Sequence, residues 1–323
     1  MIFAVGEVLI DFIAVEDALL KDVKTFEKHA GGAPANVVVG LRRLNVPSAL
    51  ISKVGRDPLG EFLIERLRAE GVDTSYIAYD EERGTGVVFV QLRKAKPEFI
   101  LYDQVAYFNL RLEDIDLSFM EKADLIHFGG VFLAREPSKT TNLKLMELAK
   151  GRVPISYDAN IRLHLWRGRV EAMVKDMTEA MKLADILKIG DEEKKFLEDH
   201  GVDFEGFDIK LLTITKGAEG SELICGGAKA EAPAYKVQPV DTTGAGDAYV
   251  AAIIASLYAL EKLDRIDLDE DELKLIGRFA NIVAALTTIK RGAWTVPRAH
   301  ELARFHELKP IVERLTKINI DRA

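Results

Sequence analysis

The chain predicts an α/β fold: a mostly parallel sheet covered by helices on both faces, with a small β-sheet standing apart from it. Three observations predict this. Short apolar runs alternate with amphipathic helical stretches over most of the 323 residues. Those runs are hydrophobic throughout rather than at every second position, as expected of strands buried on both faces. One region, residues 85–102, is β-rich with no helix inside it.

Taken in order, residues 2–8 read as a buried strand and 35–44 as a helix. Pro34 stands in the first turn of that helix, where its missing N–H costs nothing. Residues 49–54 form the next strand, followed by a helix over 58–70. Three more strand–helix pairs follow: 125–128 with 138–149, 155–157 with 170–183, and 186–189 with 192–199. Residues 211–215 and 221–225 are further strand-like runs, and helices over 245–260, 270–290 and 298–306 fill the end. Residues 85–92 and 99–102, joined through 93–98 with Pro97, read as an antiparallel hairpin. With 10–15 it makes the small sheet; the alternative is an edge hairpin covering the core.

Bulk properties set limits. The chain is 48% hydrophobic and 30% charged, with a formal net charge of −8. That is ample for a large core, and it argues against nucleic acid or an anionic membrane as partner. Cys225 is the single cysteine and lies in an apolar run, so it reads as a buried thiol and no intrachain disulfide can form. Residues 1–11 carry Glu7 and Asp11 and no basic leader, and the apolar stretch 248–260 is too short to span a bilayer. A cytoplasmic location is expected.

The most informative segment is Asp241-Thr242-Thr243-Gly244-Ala245-Gly246-Asp247, directly before a long apolar helical run. Its glycines let the backbone bend closely around a ligand. The helix that follows aims unpaired N–H groups and its positive dipole end into the bend, which makes an anion site. Gly246 is expected to need glycine for its φ as well as for close approach of the anion. Asp247 places a carboxylate beside the hole. Such a group would repel bound phosphate, so it points to chemistry: a base receiving a proton as a hydroxyl attacks phosphorus. The simpler alternative is a helix start that Asp247 completes in the manner of a capping box.

This heptad resembles the signature of the ribokinase family of carbohydrate kinases, and four further blocks resemble that family in order. They are Gly31-Gly32-Ala33-Pro34-Ala35-Asn36, the opening Gly6-Glu7-Val8-Leu9-Ile10-Asp11, Asp158-Ala159-Asn160-Ile161-Arg162 with Trp166 nearby, and Thr215-Lys216-Gly217-Ala218-Glu219-Gly220. The third of these is similar to the fructokinase-like and 2-keto-3-deoxygluconate-kinase-like branches. The resemblance implies a core of residues 1–10, 34–84 and 107–323, and a β lid of 11–33 and 85–106 with Gly31 and Gly32 as hinges. It implies ATP and Mg2+ as cofactors, with K+ beside Asp241 and Thr243. It implies sugar contacts from Asp11, Gly31, Gly32, Asn36, Tyr102, Asn160 and Asp247, and nucleotide contacts from Thr215, Gly217, Gly220, Gly244, Gly246 and Asn281. Catalysis would fall to Asp247, the N–H groups of Gly244, Ala245 and Gly246, and Arg162.

Several of these residues have plainer readings. Asn36 suits a helix cap, Asn281 a packing hydrogen bond within an apolar helix, and Arg162 an ion pair with Asp158. Asp11 is expected at the carboxyl end of the first core strand, where ligands of open α/β sheets collect. Gly190-Asp191-Glu192-Glu193 starts a helix, and its carboxylates favour the N-terminus electrostatically. The family usually has Asn where Gly190 stands; Glu193 matches a position that organises magnesium through water. Tyr102 is followed by Asp103, where acid-handling relatives carry Arg. Asp103 and Asp11 together are therefore expected to disfavour an acid and to suit a neutral ketose such as fructose.

Other chemistries find no support. There is no P-loop, no nicotinamide-type glycine fingerprint after the first strand, no His-x-x-x-His pair and no Gly-x-Ser-x-Gly elbow. The expected function is transfer of the γ-phosphate of ATP to a sugar hydroxyl. The alternatives are 2-keto-3-deoxygluconate kinase, nucleoside kinase, or a sugar-binding regulator without catalysis. A homodimer through the lid is the expected assembly.

Overall fold

The computed structural model describes residues 1–91 and 98–318. In chain order the elements are β1 (Ile2–Val5), β2 (Leu9–Ala14), β3 (Phe26–Gly31), α1 (Ala33–Arg43), β4 (Ser48–Gly55), α2 (Pro58–Ala69), β5 (Ile77–Asp80), β6 (Val87–Gln91) and β7 (Glu98–Leu101). There follow β8 (Leu125–Gly129), α3 (Ser138–Ala149), β9 (Ile155–Asp158), α4 (Leu163–Trp166), α5 (Val170–Leu183), β10 (Ile186–Gly190), α6 (Asp191–Asp199) and β11 (Leu211–Thr215). The chain closes with β12 (Gly220–Cys225), β13 (Ala228–Pro233), α7 (Ala245–Ala259), α8 (Glu270–Thr287) and α9 (Lys309–Lys317).

The described strands build a nine-stranded sheet in the order β13-β12-β11-β10-β9-β8-β1-β4-β5. It is parallel from β11 through to β5, and antiparallel only where β12 and β13 extend one edge. Both faces are apolar, and the strand pleat divides them. Ile2, Leu125, Ile186 and Leu211 point into a core with α7 and α8. Phe3, Val5, Ile126, Phe128, Leu187 and Ile189 point to the other side, where α3 and α5 pack.

The predicted α/β class and the separate small sheet are both present. The edge-hairpin alternative is replaced by a distinct four-stranded sheet in the order β3-β2-β6-β7. Residues 92–97, which hold most of the predicted connection 93–98, lie outside the described residues, and Glu98 begins β7. The first predicted strand, 2–8, is shorter, since β1 stops at Val5, while the run expected in the small sheet over 10–15 is there as β2. Asp11 therefore lies inside a strand of the second sheet, paired with His29 on β3 and Val88 on β6, and not at the end of a core strand. Within β2 the pleat sends Leu9, Asp11 and Ile13 to one face. The opposite face carries Phe12, which stacks on Phe89 at 5.2 Å.

Helix starts follow local chemistry. Asp57 caps α2 by accepting from the N–H groups of Leu59 and Gly60. Asp269 and Glu272 close a capping box on α8. The predicted helix over 270–290 ends at Thr287, and the one over 298–306 is a 3-10 turn spanning Ala299–Arg304.

Helices α1 and α7 pack directly on one another, and Gly40 is the point of closest approach. A Cβ there would stand 2.8 Å from that of Ala251. Gly40→Val should therefore force the two helices apart and cost about 1–3 kcal/mol, read as a lowered urea midpoint with an unchanged m-value.

Candidate active site

The amino ends of α1 and α7 meet the carboxyl ends of β9 and β10 at a cavity of about 990 Å³. The second sheet roofs it, contributing Leu9, Asp11, Ile13, Val88, Val90, Phe99 and Leu101. The floor is polar, with Asn36, Asp158, Asn160, Lys188, Glu193, residues 242–246 and Asp247.

The turn into α7 takes its shape from Gly244, whose φ is +78°. A side chain there would be strained by that φ and would also strike Ala293, at 2.5 Å. Asp247 is the third residue of the helix, so its carboxylate sits beside the unpaired N–H groups and the positive dipole end. The Asn36 amide donates to Asp247 Oδ2 at 2.7 Å. Trp294 Nε1–H donates to Asn36 Oδ1 at 2.8 Å. This chain orients the amide: its oxygen meets the indole and its N–H₂ meets the carboxylate. Asn36 is thus neither a cap nor free for a ligand on both sides. Burial lifts the Asp247 carboxyl to about 6; the Asn36 bond opposes this, Asp158 adds to it, and Lys188 and Arg162 reduce it.

Two more carboxylates face the same space. Glu7 Oε1 accepts from Ala33 N–H at 2.9 Å and so fixes the start of α1, while its Oε2 is buried without a hydrogen-bond partner. Burial raises Glu7 to about 7, against the lowering effect of its backbone bonds. Asp11 also rises to about 7, through burial and the nearby charges of Asp241 and Asp247. Gly31 leaves room for Asp11, since a Cβ there would lie 2.2 Å from the Asp11 Oδ2. Gly32 is the N-cap residue of α1 with φ at +104°.

Asn160 is buried just past β9, and its N–H donates to Asp158 Oδ1 at 3.1 Å. Arg162 lines the cavity but does not pair with Asp158; its guanidinium donates to the Ile161 carbonyl at 3.3 Å. Lys188 holds Asp158 instead, at 3.1 and 3.2 Å to its two oxygens. Glu193 has both oxygens engaged by backbone, accepting from Ile161 N–H at 2.7 Å and Gly190 N–H at 2.8 Å.

Residues 1–299 match the family described as pfkB family carbohydrate kinase. The chain belongs to that family.

Its relatives share most of its length. A Pyrococcus horikoshii protein described as putative sugar kinase PH1459 is 50% identical over 312 residues, 97% of each chain. The crystal structure of that protein, described as an uncharacterized sugar kinase in complex with ATP, superposes with a TM-score of 0.88 over 96% of this chain and 100% of the other. Fructokinase-1 of Zea mays is 35% identical over 308 residues, 91% of this chain and 93% of its own. A Vibrio cholerae fructokinase solved with fructose, ADP and calcium is 27% identical, with a TM-score of 0.80 over 94% and 98% of the two chains. As a pfkB carbohydrate kinase the protein is a phosphotransferase with an alcohol acceptor.

The remaining expected positions of this kinase are scattered more widely. Thr243 lines the cavity, and the Asp241 carboxylate behind it accepts from the N–H groups of Thr243 and Gly292, both at 2.9 Å. Burial works to raise Asp241, but these bonds win and hold it below its usual range. Thr215 pairs in register with Gly190, so Gly217 and Gly220 lie one strand beyond the cavity along the same sheet edge. Asn281 donates to the carbonyls of Ala232 and Pro233 and ties α8 to β13, in keeping with its packing reading. Tyr102 is 53% exposed and is not part of the cavity wall.

Two expectations need correction. Asp103 does not reverse the local charge, because Arg135 at 2.9 Å and Arg167 at 2.6 Å both pair with it. Gly246 needs no unusual φ; it is helical, and a Cβ there would meet only Lys188 Nζ, at 3.5 Å. The residues that sequence reasoning missed are Glu7, Lys188 and Trp294. Lys188 had a visible signal: it is a charged residue inside an otherwise apolar buried strand.

The two glycines should therefore fail differently. Gly244→Ala should lose about 2–4 kcal/mol of stability through φ strain and the Ala293 contact. Gly246→Val should keep its fold yet lose roughly a hundredfold in turnover, because the added group stands where an anion must approach. Thermal melts beside steady-state kinetics separate the two. A base must be unprotonated to act, so kcat/KM should fall with unit slope as pH drops below about 6. A pH–rate profile checks this, and Asp247→Asn should abolish that limb.

Proposed function

We propose that the protein transfers the γ-phosphate of ATP to a hydroxyl of a small neutral sugar, with a ketohexose such as fructose as the best candidate. The observation that carries this reading is Asp247, half-buried at the N-terminus of α7 and held by Asn36 at 2.7 Å within a cavity rich in hydroxyl acceptors. The ATP bound to the Pyrococcus horikoshii relative and the fructose and ADP bound to the Vibrio cholerae one support it.

The sugar hydroxyl would lie between Asp247 and the γ-phosphorus. Its oxygen forms the new P–O bond, its proton passes to Asp247, and the bond to the ADP oxygen breaks with its electron pair leaving on ADP. The N–H groups of Gly244, Gly246 and Asp247 would meet the developing negative charge; the expected Ala245 N–H is instead given to the Thr242 carbonyl at 3.2 Å. Asp11, Asn160 and the backbone at Gly31 and Gly32 would hold the other hydroxyls. The second sheet acts as the lid in this reading, its apolar inner face excluding water that would otherwise take the phosphoryl group. Its exposed edge residue Ile100 suits a homodimer through the lid.

The protein offers magnesium few ligands. Among the described residues no three His, Cys, Asp or Glu side chains converge on one point. Glu193, already engaged by two N–H groups, fits an outer place, accepting from water on an ion that neutralises the nucleotide phosphates. The same holds for K+ at Asp241, whose oxygens each take a backbone N–H.

Asp103 no longer argues against an acidic substrate; Asp11 and Glu7, both raised to about 7, would repel an anion only where they are ionised, and Lys188 and Arg162 line the same cavity. A panel of fructose, ribose, nucleosides and 2-keto-3-deoxygluconate, assayed by ADP release, should give fructose the highest kcat/KM. A maximum with the keto acid or a nucleoside would move the substrate to that class. Sugar binding with no ADP release from any of them would make the protein a regulator.

A further inference from the structure

Lys188 is the one buried cation at the cavity floor that the reading above leaves without a task. It stands third in β10, among the buried Ile186, Leu187 and Ile189, with Asp158 and Thr213 as its register partners on either side. The side chain is only 12% exposed, and what is exposed lines the cavity. Two contacts go to Asp158, whereas an ammonium carries three protons. Nζ lies 3.5 Å from the point a Cβ on Gly246 would occupy, which is the surface over which an anion at the α7 N-terminus must rest. A cation so placed would reach that anion without moving. Arg162, by contrast, is exposed and bonds only to the neighbouring Ile161 carbonyl, so it would have to be ordered first.

A buried pair of this kind is a poor device for stability alone, because desolvating two charges offsets most of their attraction. We propose that Lys188 is a catalytic residue that donates its third proton to an oxygen of the transferred phosphoryl group, and that Asp158 is the positioning residue that aims it. Burial works to neutralise Lys188, but Asp158 and Glu193 outweigh it and keep the ammonium charged. The proposal rests on the kinase reading and adds to it a fixed cation for the γ-phosphate.

The test uses the full chain, with AMP-PNP and ADP as probes in calorimetric titrations. The parent protein is titrated first; if it binds neither nucleotide, the kinase reading fails before Lys188 is in question. Lys188→Met alone strands Asp158, so the informative variant is Lys188→Met with Asp158→Asn, which removes both charges together. It should melt near the parent temperature and bind ADP as the parent does. It should bind AMP-PNP about 10- to 100-fold more weakly, the worth of one charge-assisted hydrogen bond, with kcat reduced by at least as much. An unchanged ratio of AMP-PNP to ADP affinity in the folded double variant would overturn the proposal and leave Lys188 as a strand-to-strand tie. If the double variant does not fold, the Lys188 side-chain NMR resonance of the parent, assigned through Lys188→Arg, decides. It should shift with AMP-PNP and not with ADP, and equal shifts with both would overturn the proposal.

Discussion

The structure is organised around one half-buried carboxylate, that of Asp247. Asp247 is drawn out of water at the start of α7, and burial alone would leave it protonated. The Asn36 amide and the charges of Lys188 and Arg162 act against that burial, Asp158 adds to it, and the balance sets it near 6. A base with that value is ionised at neutral pH yet retains affinity for a proton. Much of the surrounding architecture can be understood as support for these three partners. Gly40 gives α1 room to pack against Ala251 of α7, and across the same helix pair Asn36 reaches Asp247. The segment after α8 buttresses both ends: Gly292 N–H binds Asp241, Ala293 presses on Gly244, and Trp294 orients Asn36.

The cavity has two chemical halves because two sheets meet there. The nine-stranded sheet delivers charged and amide side chains at the carboxyl ends of its strands, where the parallel ladder stops and side chains are free to turn toward a ligand. The second sheet delivers mainly apolar residues, with Asp11 the charged exception among Leu9, Ile13, Val88 and Val90. That division suits a polyol bound by its hydroxyls below and shielded from water above.

Legibility in the sequence followed burial. Strands covered on both faces, such as β4 and β11, were visible as apolar runs and came within a residue of their predicted ends. The strands that escaped lack that pattern. β3 reads Phe-Glu-Lys-His-Ala-Gly and is half exposed, while β13 alternates alanines with charges, so its buried side is too small to signal. β5 is four residues at the sheet edge. The first strand was read too long because residues 2–8 are apolar apart from Gly6 and Glu7, yet residues 6–8 are the connection between the two sheets.

The residue types and spacing of the heptad from Asp241 to Asp247 were enough to single out a helix N-terminus with a carboxylate in its first turn, since both are local in sequence. What lies far apart along the chain was decided only by tertiary structure. Asn36 and Asp247 are 211 residues apart, and Trp294 and Asn36 are 258 apart. No pattern in the sequence announces that an amide will be oriented by an indole, that Arg135 and Arg167 will neutralise Asp103, or that Lys188 rather than Arg162 will take Asp158. Local conformation depends on a few neighbouring side chains, so the sequence determined it. The charge that a buried group carries depends on every partner the fold brings to it, and that only the tertiary structure could decide.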